Sequence, residues 1–179
     1  MQVQDPASRQ SLVADQFSYF FLRLRKERIK KIVGTINSTY PDESTEQKAR
    51  RLIDVQMPLS FLGGALMHLP RLVPGWGQAF ELLGFVGGSA ALVRMHLYLI
   101  LEIGLLYGKD IDDEARVPEM MAVVGATGLA TGVSWLSGAI NTLLPLAAGG
   151  IIASAAVRII GEEAIRYYSA PAGELVEDL

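Results

Sequence analysis

The sequence predicts an all-α fold: a helical bundle that carries a Gly- and Ala-rich apolar helical hairpin. Three observations lead there. The 38 positions from Met120 to Val157 hold no charged residue and are bounded by Glu119 and Arg158. The segments before this run repeat apolar residues with the 3.6-residue period of a helix. No strand-rich region and no repeat of fixed period interrupts these patterns.

A chain of 179 residues suits one domain with a sizeable core. We divide it into a polar arm over 1–16, a helical domain over 17–168 and an acidic tail over 169–179. Half of the residues are hydrophobic, which is high for a soluble domain and low for a polytopic membrane protein. The net charge of -3 excludes a generally basic nucleic-acid binder, so no nucleic-acid partner is expected. With no cysteine there is no disulfide, no thiol catalysis and no Cys-ligated metal. The opening residues lack the apolar core of a signal peptide, so none is expected.

Each element follows from local pattern. Phe17, Phe20, Phe21 and Leu24 share a helical period, and Ile29, Ile32, Val33 and Ile36 resume it, so one helix is expected over 17–36. Between the two apolar sets lies RLRKERIKK, residues 23–31, with six basic side chains and one acidic. After a loop at 37–42, Ser44 and Gln47 have the spacing of a capping box. The helix they open is expected to end near Met57, because Pro58 disfavours helical geometry in the residue before it. Residues 58–77 are apolar but broken by Pro and Gly, and read as a short helix, a turn and a loop.

Gln78 to Tyr107 is the longest periodic helix. Arg94, Tyr98 and Glu102 lie four residues apart and share one face, with His96 roughly opposite. A lipid-exposed span rarely tolerates such a stripe, so it is expected to be buried inside the bundle. Gly108 is placed to end this helix. An acidic connector over 111–116 follows, and Pro118 suits the start of the next helix. The hairpin helices are expected over 120–140 and 143–160, with the bend at 141–145. Gly84 with Gly88, Gly128 with Gly132, Ser134 with Gly138, and Gly150 with Ser154 place small residues four apart, which lets helix backbones approach closely.

From 50 to 157 the chain resembles the EcsC family and the related membrane domains attached to bacterial GTPases. The resemblance rests on Gly63-Gly64, Pro74-Gly75, Arg94-Met95 and Tyr107-Gly108-Lys109-Asp110, followed by a second Gly- and Ala-rich region. The chain departs at Val93, where the family usually carries Gln. The resemblance implies a helical, membrane-associated accessory protein. It implies no enzymatic activity, so no catalytic residue is carried over.

Other chemistry is poorly supported. His68 and His96 have no metal-ligand spacing, and Asp112-Asp113-Glu114 lacks the alternation of a calcium loop, so no metal or other cofactor is expected. The Gly pairs lack the further residues of phosphate loops. The basic stretch has a specific use. Phe20 and Phe21 beside Arg23, Arg25, Lys26, Arg28, Lys30 and Lys31 are the combination with which an interfacial helix binds anionic lipid. The expected function is therefore a membrane-associated helical scaffold, held by the basic helix and the apolar hairpin on the cytoplasmic face of the inner membrane. Its expected partners are membrane lipid and a second copy or a membrane protein. Two other readings are a soluble bundle that carries a lipid or apolar ligand, and a lipid-acting enzyme centred on Arg94, His96 and Glu102.

Overall fold

The computed structural model describes residues 21–22, 24–66, 94–127 and 145–170. The fold is an all-α bundle, with no strand among the described residues. Its helices are α1 (Lys26–Thr39), α2 (Thr45–Leu66), α3 (residues 94–106), α4 (Arg116–Ala126) and α5 (Pro145–Ser169).

Helix α3 is the axis. Residues 99–104 are buried without interruption, and six consecutive positions cover every face of a helix. A helix apolar all round must be surrounded. The core accordingly draws on every other helix: Ile29 and Val33 from α1, Leu52 and Ile53 from α2, Met120 and Val123 from α4, Val157 and Ile160 from α5. Gly108, at φ 78°, stops α3. Its N–H reaches Leu105 O at 3.0 Å while Lys109 N–H reaches Gly104 O at 2.9 Å, the paired bonds of a Schellman end. Ser44 and Gln47 form the expected capping box of α2: Gln47 N–H donates to Ser44 Oγ at 3.2 Å, and Ser44 N–H donates to Gln47 Oε1 at 2.9 Å.

Several helix boundaries differ from the sequence expectation. The helix expected over 17–36 is broken at Leu24 and Arg25, and α1 begins afresh at Lys26. At about 100° per residue, a continuous helix would aim Phe21 and Leu24 about 130° away from Ile29 and Val33. All four are buried in one core, so the chain must turn between them. Helix α2 does not stop at Met57 but runs on through Pro58 to Leu66. The carbonyl left without a donor is that of Asp54, and Asp54 and Pro58 are both exposed, so water takes the place of the lost bond. Helix α4 starts at Arg116 rather than at Pro118, which falls within its first turn.

Helices α2 and α5 pack extensively and run antiparallel, with Ile53 against Gly161 and Phe61 against Gly150. A Cβ on Gly150 would lie 2.8 Å from the Phe61 carbonyl oxygen, and one on Gly161 would overlap the end of Ile53. A third seat is Gly104, where a Cβ would lie 3.2 Å from the Tyr168 ring. Helix α5 continues past Gly161 to Ser169, beyond the expected end of the hairpin. Among the described residues, close packing through glycine occurs at Gly104, Gly150 and Gly161, of which Gly150 is paired by spacing with Ser154. The expected packing positions Gly84, Gly88, Gly128, Gly132, Ser134 and Gly138 lie outside the described residues, as does the hairpin bend.

The two α2–α5 seats differ in what must give way. At Gly161 the obstacle is a flexible side-chain end; at Gly150 it includes a backbone oxygen. Gly161→Ala is expected to lower stability by about 1–3 kcal/mol through overpacking. Adding Ile53→Ala, which removes both obstructing carbons, Cγ1 and Cδ1, should recover part of that loss in a double-mutant cycle. Strict additivity in thermal or urea unfolding would show that Ile53 is not what fills the seat.

Candidate functional site

Charge is segregated along the α2–α5 pair. Up to Asp54, α2 carries Glu46, Lys48, Arg50, Arg51 and Asp54; residues 55–66 carry no charge. Helix α5 carries none over 145–157 and then Arg158, Glu162, Glu163 and Arg166. Because the helices are antiparallel, charged half meets charged half. Arg50 bridges Glu46 at 2.7 Å and Glu162 at 3.4 Å, and Arg166 holds Glu163 at 2.6 Å. A shallow groove of about 710 Å³ runs over this end, and its Arg50 and Arg166 pair with Glu46, Glu162 and Glu163. At the uncharged end, Val55, Leu59 and Leu62 share one face of α2 and are 62%, 57% and 58% exposed, with Ile151 of α5 also exposed.

A cleft of about 570 Å³ opens at the boundary between the two halves, walled by α1, α2 and α3. Its apolar lining is Leu24, Ile32, Leu52, Val55, Leu59 and Met95. Its polar lining is Arg25, Arg28, Gln56, Arg94, Tyr98 and Glu102. This size is within the range of small-molecule sites.

The stripe expected on α3 does come together here, but it is graded rather than buried throughout. Arg94 is exposed, Tyr98 half-buried, and Glu102 2% exposed. The reason is depth: α3 enters the core between Arg94 and Leu97, so each successive turn of the stripe is more enclosed. Tyr98 fastens α1 to α3. Its hydroxyl accepts the Arg25 N–H at 2.9 Å, and the Arg28 guanidinium lies 5.5 Å from its ring centre. Glu102 is the only buried carboxylate among the described residues, and Gln56 Nε2 donates to its Oε2 at 2.8 Å. Burial pushes the Glu102 carboxyl up to about 7, against the smaller opposing pulls of Arg28 and Gln56. His96 has a buried Nε2 without a partner among the described residues. Burial lowers its imidazole to about 4 and keeps it neutral.

The basic stretch is engaged with the protein. Lys30 Nζ donates to Asp112 Oδ2 at 2.9 Å, and Lys26 lies 3.4 Å from Asp112 Oδ1. Lys30 holds the Asp112 carboxyl below its usual range. The acidic connector, exposed over residues 112–115, is thus also clasped to α1 through Asp112, and Ile111 beside it is buried. Phe21, expected to contact lipid, is 1% exposed and belongs to the core, with Lys26 stacked 4.3 Å from its ring centre. Phe21, which precedes α1, is spent on the bundle and is not available to a bilayer. Lys31 is exposed, and Phe20 and Arg23 lie outside the described residues. Sequence reasoning missed Gln56 and Arg25 as parts of the cleft; both are ordinary polar residues on helices that only packing brings to α3.

Among the described residues no group of His, Asp or Glu is placed to hold a metal ion, and no helix is long and apolar enough to cross a membrane. No family model, no curated protein and no solved structure matches the chain. The motif residues Arg94-Met95 and Tyr107–Asp110 mark the outer end and the Schellman end of described α3.

The Glu102 carboxyl sets a signed pH dependence. Its folded value, about 7, lies above the ordinary 4.5. Stability is therefore fully present below about pH 4.5 and is lost as pH rises through 7, by about 3 kcal/mol. His96 acts oppositely, costing stability as pH falls from 6.5 towards 4, so the two partly cancel in the wild type. Glu102→Gln should isolate the first effect. The variant is expected to melt higher than the parent at pH 8 and to show little of that gain at pH 4.5. A constant difference across this range would mean that Glu102 is hydrated in the folded protein.

Proposed function

We propose that the protein is a membrane-associated helical accessory protein that meets one bilayer leaflet with the uncharged end of the α2–α5 pair. The segregation of charge along that pair carries this reading. The uncharged lengths, 12 residues of α2 and 13 of α5, extend about 18–20 Å. That falls short of the about 30 Å hydrocarbon core and suits entry from one side. Exposed Val55, Leu59, Leu62 and Ile151 supply apolar contact. Arg25, Arg28 and Arg94 ring the cleft where the charged half begins, at the level where cations meet anionic head groups. This differs from docking through the face of a basic helix, because Lys26 and Lys30 are held by Asp112 and Phe21 is in the core. The reading is of a binding protein on the cytoplasmic face of the inner membrane, not of an enzyme.

The chain has no cysteine, so single labels are simple to place. An environment-sensitive fluorophore on Leu62→Cys is expected to shift to the blue with phosphatidylglycerol vesicles and to be quenched by brominated acyl chains. The same label on Asp42→Cys, beyond the charged end, should stay in water. Leu62→Glu with Ile151→Glu, neither of which lines the cleft, should weaken vesicle binding at least tenfold. Equal behaviour of both labels, or full binding by the double variant, would remove the reading. Loss of a dimer instead, seen by sizing without vesicles, would assign this end to a second copy.

A further inference from the structure

The cleft between α1, α2 and α3 has two kinds of polar group, and they are separated in depth. Three arginines stand at or near its mouth, where Arg25, Arg28 and Arg94 are all exposed. On its floor lie two acceptors. One is the Glu102 carboxyl, which Gln56 Nε2 contacts through one oxygen. The other is Gln56 Oε1, buried and without a hydrogen-bond partner among the described residues. An unpaired buried amide oxygen is costly and marks a place where a donor is missing. Beside both runs an apolar wall of Ile32, Leu52, Val55, Leu59 and Met95. A ligand that satisfies all three surfaces needs an anionic group for the arginines, a hydroxyl or ammonium donor for the floor, and one hydrocarbon chain.

We infer that the cleft binds a single-chain phospholipid whose head carries hydrogen-bond donors, as a lysophospholipid does. Its phosphate lies among Arg25, Arg28 and Arg94. One head-group hydroxyl donates to the Glu102 carboxylate, and a second donates to Gln56 Oε1 once the Gln56 amide turns from its enclosed position towards the cleft. The acyl chain follows the wall towards Leu59 and the uncharged end of α2. A simple fatty acid supplies the chain and the anion but, once ionised, no donor for the floor. A water-soluble glycerol phosphate supplies the anion and donors but no chain. The cleft is thus selective at the head and indifferent to detail along the chain. The inference is independent of membrane docking, since it concerns uptake of a dissolved molecule by the protein in solution.

The test is calorimetric titration of the full chain without vesicles, at pH 8, with each ligand below its micelle threshold. Palmitoyl lysophosphatidylglycerol is expected to bind at least tenfold more tightly than palmitate, and glycerol phosphate to bind at least tenfold more weakly than the lysolipid. Arg28→Ala should weaken the lysolipid and palmitate alike. Gln56→Met, which keeps the volume and removes the orphan acceptor, should bring the lysolipid to the level of palmitate while leaving palmitate unchanged. Equal affinity for lysolipid and palmitate in the wild type overturns the inference, whatever the variants do. So does glycerol phosphate binding as tightly as the lysolipid, which would make the site one for free phosphate. If Gln56→Met fails to fold, the comparison of the three ligands with the parent still decides.

Discussion

The structure depends on one constraint: a helix that is apolar on every face but one narrow stripe has to be enclosed. Residues 99–104 of α3 are buried all the way round, so α1, α2, α4 and α5 must each offer it an apolar surface. The break at Leu24–Arg25 follows from this, because it turns two apolar sets toward one core. The glycine seats follow as well. Gly104 lets Tyr168 lie against α3, and Gly161 brings α5 close enough for Leu99 and Ile53 to pack beside it. Closely packed interiors have little slack, so such seats fix the positions of the helices as firmly as the side chains do.

Enclosing α3 also draws one carboxyl into the core. Glu102 lies on the stripe that begins at exposed Arg94, and helical geometry carries it inward two turns later. Its only direct polar partner among the described contacts is the neutral Gln56, with Arg28 acting from a distance. Buried charge without a close counter-ion is costly, and the protein bears that cost at the edge of a mixed polar and apolar cleft. Departures from the rule that buried acids are paired gather at binding sites. This is what singles out the cleft from the charged groove at the other end of the bundle, where Arg50, Glu46 and Glu162 satisfy one another.

Surface ion pairs here place surfaces more than they stabilise. Exposed pairs contribute little net energy. Yet Asp112 with Lys26 and Lys30 fixes the connector after α3 against α1, and Glu43 with Arg51 secures the approach to α2. The basic front and acidic rear of the sequence are largely answered by one another within the bundle. What remains is an axial difference: one end rich in paired charge, the other without any.

The sequence by itself determined the helices, the central apolar run of α3, the capping box at Ser44 and Gln47, and the glycine end at Gly108. These are set by neighbours within a turn or two of the chain, where periodicity and backbone freedom act. It also brought Arg94, Tyr98 and Glu102 onto one face. Only the tertiary structure decided how deep each member of that face lies, that Gln56 and Arg25 join it, and that Asp112 neutralises the basic stretch. It decided too that Phe21 is core rather than anchor, that Pro58 is tolerated where its helix meets water, and that Gly161 and Gly104 are the seats. Those outcomes rest on pairings between residues tens of positions apart. A local pattern constrains which face a residue occupies, and the packing of other helices decides what that face meets.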